Sequence, residues 1–113
     1  MAVAGPAFVT PHARKRFQRR IARLPDNEAL AAIIRGLERP RAIRVGRRQD
    51  GVPVIDVAVD GEYQFIATLV VHPDPRLRPA VVTILPATVG RNRPGRYKWE
   101  RPRWQVLRWN RCA

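Results

Sequence analysis

One cysteine, two histidines, two lysines and nine acidic residues are all that this 113-residue chain carries of those types. Cys112 stands alone, so no internal disulfide and no Cys-rich metal site can form, and a reducing compartment is the expectation. His12 and His72 are too few for a structural zinc site. There is no Walker loop, no Rossmann glycine pattern, no paired-cysteine motif and no HExxH helix, so no metal and no cofactor is expected. No apolar run approaches bilayer length, and the opening MAVAGPAFVT lacks a basic stretch followed by an apolar one. The expectation is a cytoplasmic chain without a leader or a membrane partner.

What is abundant is arginine, and its distribution is uneven. The formal net charge is +13. Residues 11 to 23 hold Arg14, Lys15, Arg16, Arg19, Arg20 and Arg23 with no acid among them. Residues 24 to 90 balance arginines against Asp26, Glu28, Glu38, Asp50, Asp56, Asp60, Glu62 and Asp74, and come out neutral. Residues 91 to 113 hold Arg91, Arg93, Arg96, Lys98, Arg101, Arg103, Arg108 and Arg111 against Glu100 alone. An arginine-favouring genome explains the type of cation but not this segregation. Basic ends around a neutral centre are the footprint of a phosphate-binding surface. An anionic membrane is the weaker rival, because the basic helix described next has only a narrow apolar stripe.

Ala7 to Val9 can form a short strand. Thr10 then suits a helix N-cap with Pro11 at the first helical position. Ala13, Phe17, Ile21 and Leu24 recur at helical spacing as one apolar stripe ended by Pro25, with His12, Arg16, Arg19 and Arg23 along a neighbouring face. Asp26 reads as the cap of a second helix whose stripe is Leu30, Ile33, Ile34 and Leu37, stopped by Pro40. From residue 42 the period becomes extended, in Ala42 to Arg47, Val52 to Ala58, Tyr63 to Val71 and Ala80 to Leu85. A three-residue loop, Val59-Asp60-Gly61 with Gly61 left-handed, would pair Val57 with Tyr63 and Ile55 with Phe65. That register puts Ile55, Val57, Tyr63, Phe65, Ala67 and Leu69 on one face, toward the helices. The other face, with Asp56, Gln64 and Thr68, is left partly open or covered by the tail.

The fold class is thus α+β: a short strand, a helical hairpin, then a four-stranded antiparallel meander packed on the helices. Residues 1 to 90 form one domain. Residues 91 to 113 form a basic, aromatic C-terminal arm, in which Pro94, Gly95 and Pro102 preclude one long helix; Trp104 to Trp109 fits a short strand or a helical turn. Interleaving Tyr97, Trp99, Trp104 and Trp109 with arginines suits single-stranded nucleic acid, with bases on rings and phosphates on guanidiniums. The alternative is that the tryptophans bury themselves against the open sheet face.

His12 is the residue best placed for acid–base chemistry, in the first turn of a helix among arginines. Cleavage of RNA by its own 2′-hydroxyl needs a base, positive charge for the phosphorane and an acid for the leaving oxygen, and no metal. His12 supplies the base, Arg16, Arg19 and Arg20 or the tail arginines the charge, and His72 or Tyr97 the acid. Structural hydrogen bonding is the other role open to such a histidine. Arg14, Lys15, Arg23, Arg91, Arg93, Arg96, Lys98, Trp99, Arg101 and Arg103 are the candidate nucleic-acid contacts.

The phrases FVTPHARKRFQRRI and AVVTILP, in this order of elements, resemble the RelE/ParE-like superfamily of small toxins, and within it the BrnT-type branch. The resemblance spans roughly residues 7 to 86. It implies a metal-independent ribonuclease acting on RNA, ribosome-associated in some members, and neutralised by an acidic antitoxin protein. His12 matches the family histidine, and the family arginine falls among Arg16, Arg19 and Arg20. The tail after Pro86 departs from the pattern. It marks either an added RNA-binding arm or a phage-derived nucleic-acid- or nucleoprotein-binding protein that has lost catalysis.

Overall fold

The computed structural model describes residues 7–71, 79–87 and 99. In chain order these form β1 (Phe8–Val9), α1 (Pro11–Arg20), α2 (Asp26–Glu38), β2 (Ala42–Arg47), β3 (Pro53–Asp60), β4 (Gln64–Val70) and β5 (Ala80–Pro86). The candidate residues 91, 93, 96, 97, 98, 101 and 103, and with them His72, lie outside the described residues.

Thr10 starts α1 as the sequence suggests. Its backbone is extended, and its Oγ1 accepts from the Ala13 N–H at 3.1 Å. The same hydroxyl donates to the Val81 carbonyl at 2.8 Å, so the cap also fastens the helix to β5. The helix stops at Arg20, one turn short of the Pro25 boundary expected. The Ile21 and Ala22 N–H groups both turn back to the Phe17 carbonyl, and the Gln18 amide donates to the Leu24 carbonyl. These bonds satisfy the backbone of a tight connection, so Ile21 and Leu24 reach the core from outside the helix. Arg23 consequently lies in the connection, off the helical ridge.

In α2, Asp26 is the first helical residue rather than the cap; Pro25 takes that place without a side-chain bond. Asp26 and Glu28 in the first turn complement the helix dipole. The buried face is also rotated from the expected one: Ala29, Ala32, Ile33 and Leu37 are buried, and Leu30 and Ile34 only half so. Close approach explains the rotation. A Cβ on Gly36 would lie 2.7 Å from Val59 Cγ1 and 2.9 Å from Phe65 Cζ, so the small-residue side of the helix rests on the sheet.

The strands form one five-stranded mixed sheet in the order β1-β5-β4-β3-β2. The meander β2 to β5 is antiparallel, and β1 joins its β5 edge in parallel, with Phe8 opposite Ala80 and Val9 opposite Val81. The β3–β4 register is displaced by four residues from the expected one: Val57 faces Ala67 instead of Tyr63, and Phe65 faces Val59 instead of Ile55. The loop is Gly61-Glu62-Tyr63, and Gly61 is not left-handed; among the described glycines that conformation belongs to Gly51 (φ 83°) in the β2–β3 turn. Carrying β3 on to Asp60 gains the Val59–Phe65 pair, and every residue stays on its expected face because the displacement is even. Ile55, Val57, Val59, Phe65, Ala67 and Leu69 therefore meet the helices, with Tyr63 partly buried against them. Phe17 sits over the centre, edge-on to Phe65 at 5.4 Å and to Tyr63 at 5.5 Å. Among the described residues no helix is long and apolar enough to cross a membrane.

Candidate nucleic-acid interface

Ala13 and Phe17 are fully buried on α1, which fixes the direction of the remaining side chains. His12, Lys15 and Arg19 are turned to solvent, with Arg16 partly covered beside them. Arg16 Nε donates to His12 Nε2 at 3.1 Å, one helical turn apart. An imidazole nitrogen that accepts a hydrogen bond does so through its lone pair, so Nε2 is the acceptor of this contact. Among the described residues the guanidinium Nη groups and His12 Nδ1 have no hydrogen-bond partner and can meet an anion.

Three of the expected α1 contacts have other employment or position. Arg14 Nε lies 3.4 Å from Asp26 Oδ1, an ion pair between the two helices that is too poorly aligned to be a hydrogen bond, so the buried Nε lacks an acceptor. Arg20 Nη1 donates to the Ile84 carbonyl at 3.0 Å and so holds the end of α1 on β5. Arg23 is exposed in the connection after the helix. Lys15, Arg16, Arg19 and Arg23 face no carboxylate among the described residues, whereas Arg35, Arg44 and Arg48 pair with Glu62, Asp56 and Asp50. Part of the neutral centre is thus neutralised side chain by side chain, and the α1 face is a cationic surface without paired carboxylates among the described residues.

The side of the sheet away from the helices holds a row that sequence reading did not assemble. Arg44, Asp56, Thr68 and Thr83 stand opposite one another across β2, β3, β4 and β5. Arg44 Nη2 and Nε donate to Asp56 Oδ2 at 2.8 and 3.2 Å, and Thr68 Oγ1 donates to Asp56 Oδ1 at 2.8 Å. Trp99 packs here, its ring centre 4.6 Å from the Arg44 guanidinium carbon. This placement matches the alternative in which a tail tryptophan covers the open face. The signal in the sequence was the spacing of polar residues on alternate positions of the strands, legible only once the register is known. Comparison with family models, curated proteins and solved structures finds no match to this chain.

Proposed function

We propose that this protein binds single-stranded RNA through the exposed side of α1 and cleaves it without a metal ion, as a toxin-like ribonuclease of RelE/ParE type restrained by an acidic partner protein. The observation that carries the reading is the exposed His12–Arg16 contact within a cationic face that has no carboxylate of its own. A phosphate competes with His12 for Arg16. When the guanidinium turns to the phosphate, the Nε2 lone pair is released beside the ligand. His12 Nε2 then takes the 2′-hydroxyl proton as the O2′–P bond forms, Arg16 and Arg19 offset the charge of the phosphorane, and the P–O5′ bond breaks with protonation of the 5′-oxygen. Tyr97 and His72 are the candidate acids for that last proton.

The expected product is a 2′,3′-cyclic phosphate formed equally well in EDTA. His12→Ala should lower the rate at least about 100-fold, the usual share of a general base, while leaving RNA affinity nearly unchanged. Cleavage that EDTA abolishes, or that survives in His12→Ala, would refute the catalytic assignment. A second reading, an RNA- or nucleoprotein-binding protein of phage origin without catalysis, is favoured by two details: the Nε2 lone pair is engaged and Arg20 is committed to a backbone carbonyl. Tight binding with no product at any protein concentration would select it.

A further inference from the structure

The opposite edge of the sheet carries a second set of cations outside both arginine-rich ends. The segment Arg39-Pro-Arg-Ala-Ile-Arg-Val-Gly-Arg-Arg48 holds five arginines and no acid. Two of them are neutralised within the fold, Arg44 by Asp56 and Arg48 by Asp50. Arg39, Arg41 and Arg47 are exposed and face no carboxylate among the described residues; the one side-chain bond of Arg47 is to the Gly51 carbonyl at 2.9 Å. Their strand, β2, is the edge of the sheet among the described residues. Arg48 N–H donates to Val52, and Pro53, which has no N–H, stands opposite Arg47. In the antiparallel alternation the N–H groups of Val45 and Arg47, both exposed residues, therefore point away from β3. Arg41 also shares a shallow recess with the partly exposed Trp99 and with Asp60, to which it makes no ion pair. Cations, free backbone donors and an aromatic ring are the components of a single-strand binding surface.

This edge and the α1 face do not merge. α1 packs on β5, and β2 lies three strands away, about 14 Å across the sheet at the usual strand spacing. Between them the surface charges are matched, by Asp56 on one side of the sheet and by the Arg35–Glu62 pair near the other. Among the described residues no continuous cationic track joins one surface to the other.

The geometry points to a second nucleic-acid surface on the β2 edge, so that one chain holds two separate single-stranded RNA segments and bridges them. The inference rests on the RNA-binding part of the proposed function and adds a separate site to it. The test uses the full chain with two identical unstructured RNA oligonucleotides, one immobilised and one fluorescent, together with sedimentation to count RNA per chain. Wild type should retain the fluorescent strand on the immobilised one and bind two strands per chain. Arg41→Ser/Arg47→Ser should still bind one strand, lose the co-retention, and flatten the slope of log affinity against log salt by about 1.4, two phosphate contacts at roughly 0.7 each. One strand per chain in wild type, or co-retention that survives Arg41→Ser/Arg47→Ser, overturns the bridging assignment and leaves α1 binding intact. Absence of any RNA binding by wild type overturns both.

Discussion

At the scale of single residues the fold depends on a few contacts with sharp tolerances. Gly36 is one, since its absent side chain is the space that Val59 Cγ1 and Phe65 Cζ occupy. Gly36→Ala should destabilise the protein by about 1–3 kcal/mol, the usual cost of overpacking, measured by denaturant unfolding. Its better helix propensity, worth about 1 kcal/mol, works in the opposite direction and is the smaller effect. Asp56 is another. Arg44 and Asp56 side chains are only 11% and 17% exposed, so Asp56→Ala leaves a largely desolvated guanidinium without its partner. A loss of about 2 kcal/mol or more is expected, and the double variant Arg44→Met/Asp56→Leu should recover most of it. Asp50 belongs to the exposed β2–β3 turn. A hydrogen bond from Arg48, and after it the Val52 N–H, hold its carboxyl below the ordinary value, and Asp50 in turn raises Arg48. A carboxyl depressed on folding contributes stability above its unfolded pKa, near 4, and loses it as pH falls through the lower folded value. The Asp50 carboxyl followed by NMR should titrate below that of an unfolded peptide, and Arg48→Ala should move the midpoint up.

At the scale of elements, α1 carries the proposed site, and two tethers on β5 set its position. The Thr10 hydroxyl holds its first turn and the Arg20 guanidinium its last. Thr10→Ala removes the cap and the tie to Val81 together, so a loss of about 1–2 kcal/mol is expected, with amide exchange quickening first in residues 12 to 14. How much of this was legible differs from element to element. The start of α1 was readable because a Thr-Pro pair acts through local geometry, and β2 because its bounds coincide with a run between turn signals. The end of α1 was not readable: the apolar stripe continues through Ile21 and Leu24, and only the bonds that close the connection show that these residues pack without being helical. The β3–β4 face was readable from alternation, whereas its register was not, since displacement by an even number preserves every face. The buried side of α2 was misjudged because hydrophobicity favours Leu30 and Ile34, while the close contact with the sheet selects Ala29, Ala32 and Gly36. In the site itself, helical spacing places His12, Arg16 and Arg19 on one face of α1, while Arg23, assigned to the same face, lies beyond the helix end. The commitment of Arg14 to Asp26 and of Arg20 to Ile84 depends on contacts between distant segments, which spacing does not encode.

At the scale of the molecule, charge is sorted by pairing rather than by position in the chain. Acids of the centre meet Arg35, Arg44 and Arg48, and among the described residues unpaired cations remain on the α1 face and at Arg39, Arg41 and Arg47. Lys15, Arg19 and Arg23 are exposed and unpaired among the described residues, which allows binding to be tested apart from stability. The most direct measurement is the salt dependence of affinity for an unstructured single-stranded RNA, compared between wild type and Lys15→Ser/Arg19→Ser/Arg23→Ser, three exposed cations with no partner among the described residues. Removing three phosphate contacts at roughly 0.7 each should flatten the slope by about 2 with the thermal midpoint unchanged. An unchanged slope in a folded variant would contradict RNA binding by the α1 face.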